Sequence, residues 1–462
     1  MRPIARYVIV VLPLVVLVAG GCREPDVPVA PGVVGTLVID SDPQGASILV
    51  NGEDTGLVTP DTLHDLTVGE DTILTRLVRN GLEYGFRLPV RSASSDEVVE
   101  VKGPLLLQCL SSACFEDSLE EHEPNDMRMV TSALGALLYT AGAGEGLRWP
   151  ATTANNYVSI GAPVLAGIRS EVGDTVALGP YDLDYLVGRP APSVETTNGR
   201  YTMTQTAWVL PSGGSPAGTI RGIEIDQTLI GDAAVDGVVL LRLVYRNITN
   251  DPLYQVFDGT LEAAGETLES VYIGFVLDAD VGTATSEVSD DRVSYLPDRD
   301  LALIYDGDLA TSEFEGGWDV RPGVVGVRML EAPEGTAVRM NGWPIEADWA
   351  AGSASEPTGL RWLSATQTVL SNHADERIGY APETTDDYRA SVSAGELTLA
   401  PGDSAAITVA LLVAPPAEGT FTSGEDLEPG DPMDAERPLH EVLAELIDRA
   451  DAAETLLPID GD

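Results

Sequence analysis

The chain has 462 residues, of which 73 are Asp or Glu and 26 are Lys or Arg, giving a formal charge of −47. That balance excludes nucleic acid as a partner, because affinity for phosphate backbones comes from clustered cations. Yet 44% of residues are hydrophobic, mean hydropathy is near zero, and 47 glycines and 31 prolines describe a folded, turn-rich protein rather than a disordered acidic tail.

At the N-terminus, Arg2 and Arg6 precede an uncharged stretch from Tyr7 to Gly21. It is too short to cross a bilayer as a stable helix and reads as an export signal over residues 1–21. Its end, Leu17-Val18-Ala19-Gly20-Gly21-Cys22, resembles the processing site of bacterial lipoprotein signal peptides. The resemblance implies that Cys22 receives lipid and that residues 22–34 form a tether to a membrane. Arg23, where an aspartate would imply retention at the inner membrane, implies the outer membrane. The alternative is a plain signal peptide, or a short anchor, with an incidental cysteine.

From residue 35 to 104 short strands follow one another. Leu37 and Ile39, then Ile48 and Val50, alternate as half-buried strand residues do, and Asn51-Gly52 is a tight hairpin signal. The pattern predicts a small antiparallel β-domain. Pro43-Gln44-Gly45-Ala46, Asn51-Gly52, Gly56, Thr59-Pro60, Gly69 and Gly81-Leu82-Glu83-Tyr84 resemble the PEGA domain family, named for its Pro-Glu-Gly-Ala turn. The sequence departs from that pattern in having Gln44 for Glu, and Leu82-Glu83 inside the usual Gly-Tyr pair. The resemblance implies an immunoglobulin-like spacer of bacterial envelope proteins, without catalytic residues. Residues 105–126 then read as a linker. Cys109 and Cys114 lie within it with four residues between them, and an exported chain meets a disulfide-permissive compartment, so a local disulfide is expected.

Residues 127–420 carry repeated alternation: Val239, Leu241, Leu243 and Tyr245; Val271, Ile273, Phe275 and Leu277; Ile407, Val409, Leu411 and Val413. Each run predicts a half-buried antiparallel strand, and together they predict a large β-sandwich of two sheets with six or more strands each. Gly146-Leu147-Arg148-Trp149-Pro150, Tyr272-Ile273-Gly274-Phe275, Gly323-Val324-Val325-Gly326-Val327 and Gly395 to Asp403 resemble uncharacterised secreted β-rich proteins of Gram-negative environmental bacteria. That resemblance implies no activity.

Within this region, Asp278 to Asp308 concentrates Asp278, Asp280, Asp290, Asp291, Asp298 and Asp300. Calcium takes six to eight oxygen ligands, which loops rich in Asp supply, and Asp-x-Asp spacing puts both side chains on one strand face. The spacing is not that of an EF-hand. Three readings stay open: a structural calcium site, solvated acidic loops with turn-capping aspartates, and a catalytic carboxylate pair.

Residues 421–436 form an acidic Pro/Gly linker, and residues 437–457 follow the 3, 4, 7, 8 spacing of an amphipathic helix through Leu439, Val442, Leu443, Leu446 and Ile447. Its polar face carries Glu441, Glu445, Asp448 and Asp451, which disfavours an anionic membrane. Docking on the sandwich is expected, with a partner-binding helix as the alternative.

No spacing in the chain matches a nucleophile elbow, a zincin helix or a phosphate loop. The histidines, His64, His122, His373 and His440, have no neighbouring ligand partners. Trp149, Trp208, Trp318, Trp343, Trp349 and Trp362 read as core residues more readily than as a sugar-stacking platform. The sequence therefore points to a non-catalytic, lipid-anchored envelope protein that scaffolds or binds a glycan or an envelope protein. The other reading is a carbohydrate-active enzyme working through two carboxylates, a chemistry that needs no sequence motif.

Overall fold

A computed structural model describes residues 34–67, 71–79, 82–89, 99–104, 106–107, 119–132, 137–138, 146–153, 155–171, 173–178, 186–188, 193–209, 221–255, 261, 264–279, 281, 291–306, 323–344, 388–415 and 444–457. Cys22, Cys109, Cys114, Asp280, Asp290 and the stretch 421–436 lie outside the described residues. So do His373, His440, Trp318, Trp349, Trp362, Leu439, Val442 and Leu443.

The first domain comprises β1 (Val34–Asp42), β2 (Ser47–Val50), β3 (Glu53–Val58), β4 (Asp61–Thr67), β5 (Thr72–Arg79), β6 (Leu82–Pro89), β7 (Val99–Pro104) and β8 (Leu106–Leu107). They form a sheet in the order β4-β1-β7 and a second in the order β3-β2-β5-β6-β8. Leu37, Ile39, Ala46, Ile48, Leu63, Leu66, Ile73, Tyr84 and Phe86 are buried. Asn51 and Gly52 both take positive φ, as a type I′ hairpin requires. The Pro43–Ala46 turn is held by the buried Thr59, whose hydroxyl accepts from the Gly45 and Ala46 amides at 3.1 and 3.0 Å. One pairing departs from the expected all-antiparallel pattern. β7 runs parallel to β1, because the chain returns to β1 through the intervening strands rather than through a hairpin. β8 falls in the stretch read as linker and pairs with β6.

The large region comprises β9 (Leu119–His122), β10 (Arg128–Ser132), β11 (Leu147–Arg148), β12 (Asn156–Val158), β13 (Ile160–Arg169), β14 (Thr175–Leu178), β15 (Leu186–Gly188), β16 (Ser193–Thr197), β17 (Arg200–Val209), β18 (Ile223–Asp232) and β19 (Val235–Asn247). It continues through α1 (Pro252–Gln255), β20 (Leu268–Asp278), β21 (Asp291–Leu296), β22 (Leu301–Asp306), β23 (Val324–Glu331), β24 (Ala337–Pro344), β25 (Tyr388–Leu399), β26 (Ser404–Ala414) and α2 (Ala444–Ala453), which a 3-10 turn extends to Leu456.

A five-stranded sheet, β14-β13-β20-β25-β24, faces a nine-stranded sheet in the order β15-β17-β18-β19-β26-β23-β22-β21 with β16 also on β17. All pairings in both are antiparallel among the described residues. Val271, Ile273, Phe275 and Leu277 of one sheet share a single buried cluster with Val239, Leu241, Leu243, Tyr245, Ile407, Val409, Leu411 and Val413 of the other. The sandwich is thus the expected one, although its sheets are unequal rather than six-stranded or larger on both sides. A four-stranded sheet, β12-β11-β10-β9, closes one end, linked to its neighbour by bridges from Leu137 to Thr131 and Gly161.

Strands β19, β20 and β26 are buried on both faces over most of their length rather than half-buried. On the nine-stranded sheet, Val238, Leu240, Leu303, Ala410 and Leu412 point away from the sandwich and are covered by Leu446, Ile447, Ala450, Ala453 and Leu456 of α2 and its extension. Burying Leu446, Ile447 and Leu456 contributes roughly 1.5–3 kcal/mol each. Arginines fasten the helix. Arg328 donates to the Ala450 carbonyl and pairs with Glu454 at 2.6 Å, Arg299 pairs with Asp451 at 3.2 Å, and Arg200 donates to the Leu456 carbonyl at 3.1 Å. The expected docking of the amphipathic helix is therefore what the fold shows over Ala444–Leu456.

Candidate functional site

The loop between β9 and β10, Glu123-Pro124-Asn125-Asp126, lies against the β16–β17 and β18–β19 hairpins. Its position is set by Asn125, whose side-chain amide donates to the carbonyls of Val235 and Val238, both at 2.8 Å, while its oxygen accepts from the Met127 amide at 2.9 Å. Gly231 leaves room for Pro124, which any β-carbon there would strike. The result is an open cleft of about 400 Å3, lined by Glu123, Asn125, Asp126, Thr196, Tyr201 and Asp236 with the small residues Gly199 and Ala233. Asn198 and Gly199 both take positive φ, turning β16 into β17 and delivering Thr196 opposite Tyr201.

Behind the cleft, the buried His122 bridges two hydroxyls. Its Nδ1 shares a hydrogen bond with the Tyr201 hydroxyl, and its Nε2 shares one with Thr131 Oγ1 at 2.8 Å. Burial holds the imidazole below its ordinary pKa. Partial desolvation, and then the charge of Glu120, push the Tyr201 phenol up to about 12. Below the cleft, Asp236 accepts from Trp149 Nε1 and pairs with Arg449, each at 3.3 Å. The Asp126 carboxyl is raised above the ordinary carboxylate value, first by desolvation and then by the Asp236 charge. Three acids with one partly neutralised by Arg449 make a negative recess with hydroxyl donors at its wall.

Of the aspartates singled out from the sequence, the described ones sit in different surroundings. Asp278 ends β20 and pairs with the fully buried Arg389 of β25 at 3.3 Å. Asp291 is buried at the start of β21, and Asp298 and Asp300 sit in the turn at that strand's other end. At about 3.3 Å per residue, a strand of this length separates Asp291 from Asp298 and Asp300 by far more than one coordination shell. Asp298 pairs with Arg299 at 3.0 Å. Among the described residues no group of three or more His, Cys, Asp or Glu could hold a metal. Of the six, Asp280 and Asp290 lie outside the described residues, Asp278 is in an ion pair with Arg389 and Asp298 in one with Arg299.

The described tryptophans do not form a platform. Trp208 and Trp343 are 1% and 0% exposed, and Trp149 is 6% exposed beneath Arg449. Trp208 donates to Glu224 at 2.8 Å. Sequence reading missed the cleft because its residues come from positions 123–126, 196–201 and 233–236, each polar segment unremarkable in an acid-rich chain. The local signals that could have found it are the Pro-Asn-Asp turn and the Asn198-Gly199 hairpin.

No curated protein matches this chain. Among solved structures it is similar to heparan sulfate lyase HepC from Pedobacter heparinus, at 8% identity and a TM-score of 0.24, covering 63% of this chain and 33% of the lyase. It is also similar to a copper-containing benzylamine oxidase from Hansenula polymorpha, at 8% identity and a TM-score of 0.26, covering 83% of this chain and 77% of the oxidase. The chain thus spans about a third of the lyase, and likenesses at these scores carry no argument about activity. The first β-domain is different: residues 34–81 match the PEGA domain.

Proposed function

We propose that the protein is a non-catalytic, lipid-anchored module of the cell envelope, tethered at Cys22, raised by its PEGA domain and binding envelope material through the sandwich. The observation that carries the reading is the pairing of a PEGA domain with an open, acid-lined cleft whose wall residues are held by Asn125, His122 and Arg449. A preformed recess with few convergent polar groups is what a binding site requires. The lipoprotein-like end Leu17–Cys22 and Arg23 support the outer-membrane reading.

Fractionation of cells producing the full chain tests the anchor. The wild type is expected in the membrane fraction and Cys22→Ala in the soluble periplasmic fraction, with slower migration when signal cleavage is blocked by globomycin. Equal membrane association of both proteins would overturn the anchor.

The Asp126–Asp236 interaction supports a second reading, a carbohydrate-active enzyme in which the raised Asp126 acts as general acid. Release of reducing sugar from envelope glycan by the wild type but not by Asp126→Asn would establish it.

A further inference from the structure

Beside the cleft the nine-stranded sheet ends in an open edge. Among the described residues β16 pairs only with β17, so its other backbone edge faces outward with donors and acceptors available to an added strand. Val194, Glu195, Thr196 and Thr197 are all exposed, and Val194 at 49% is one of three large apolar side chains exposed to that degree among the described residues. In the β16–β17 register Val194 lies opposite Met203 and Thr196 opposite Tyr201. Opposed residues share a sheet face, so Val194 and Thr196 lie on the face that carries Tyr201 into the cleft.

We infer that β16 and the adjoining cleft are one docking surface for an extended basic peptide segment of an envelope protein, which adds to the sheet as a strand and seats a Lys or Arg among Glu123, Asp126 and Asp236. The inference rests on the binding-module reading and names its partner. Alternate side chains of an added strand fall on one face, so one apolar residue meets Val194 while the next on that face reaches the cleft. Charge selects the partner. The cleft is lined by three acids, β16 itself carries Glu195, and the chain bears −47. A second copy or an anionic glycan would bring like charge to the same place, whereas a cationic side chain is attracted by the three acids that line the cleft.

The test uses the full chain and a fluorescent peptide of about ten residues repeating Val-Thr-Lys-Thr, the length of a long strand, so that Val and Lys alternate along one face. Two controls accompany it, one with Lys replaced by Glu and one N-methylated at alternate amides. Saturable binding is expected, weakened about tenfold or more by N-methylation, by the Glu peptide and by Asp126→Asn/Asp236→Asn, and reduced by salt. Val194→Ser, at an exposed position, is expected to weaken binding while the melting temperature is retained. Equal binding of the N-methylated peptide would overturn strand addition, and equal binding of the Glu peptide would overturn the charge assignment. Binding of a neutral oligosaccharide with no binding of the Val–Lys peptide would overturn the inference while leaving the binding-module reading standing. Binding of neither would count against both.

Discussion

The Arg449 guanidinium lies 4.6 Å from the centre of the Trp149 ring, and through Asp236 this residue of the C-terminal helix meets the lining of the cleft. It also donates to the Val413 carbonyl, and pairs with Glu445 at 2.7 Å and Asp236 at 3.3 Å. Gly237, at φ +64°, is required here, since a β-carbon would overlap that guanidinium.

Arg449→Met keeps the stem and removes the charge. It is expected to lower stability by about 1–3 kcal/mol, the range for a desolvated cation–π contact with charged hydrogen bonds. Arg449→Lys should recover little, because one ammonium cannot serve the ring, a carbonyl and two carboxylates at once. Gly237→Ala should lower the melting temperature as well by displacing the same group. Denaturant melts of the three variants check this.

Asp278 and Arg389 form an ion pair buried on the outer face of the five-stranded sheet, at 5% and 0% exposure. Removing one partner leaves a charge without its counterion, so Asp278→Ala or Arg389→Ala is expected to cost about 3–5 kcal/mol. Replacing both with apolar residues should cost less than the sum of the two single changes. A double-mutant cycle by chemical denaturation reads the coupling.

The same pairing bears on calcium. With Asp278 engaged by Arg389, and Asp298 and Asp300 in a separate hairpin turn, the melting temperature is expected to be the same in EDTA and in millimolar calcium. A rise with calcium would restore a site built from these acids.

His122 supplies a pH dependence. Its pKa in the folded chain is depressed by burial, so the neutral ring is favoured by folding. The stability it contributes is fully present above its unfolded value of about 6.5 and is lost as pH falls through the lower folded value. Asp126 acts in the opposite sense. Its folded pKa is raised, so its contribution is full below the ordinary carboxylate value and is lost as pH rises through the folded one. His122→Gln should therefore flatten the fall in melting temperature below pH 6.5, and Asp126→Asn should raise the melting temperature at pH 7.

The inner faces of β19, β20 and β26 were legible, because period-two apolar runs name them and the same residues fill the sandwich core. Their outer faces were not. Alanines such as Ala410 and Ala450 carry little hydrophobic signal, yet they let α2 approach the sheet. The PEGA turn was legible because Thr59 and Asn51-Gly52 act over short separations. The cleft was not, since Asn125 finds its partners at Val235 and Val238, more than a hundred residues on. The partners of individual acids were not legible either: Asp278 meets Arg389, 111 residues on, and Asp298 sits in a turn beside Arg299.

The most direct test of an envelope-binding, non-catalytic role is to mix the full chain, lacking only its lipid, with isolated envelope fragments. Sedimented protein and released soluble glycan are then measured together. Saturable co-sedimentation is expected, weakened about tenfold by Asp126→Asn/Asp236→Asn as for loss of a charged recognition site, with no glycan released at any time. Failure to co-sediment, or release of glycan that disappears in the Asp126 variant, would contradict the account.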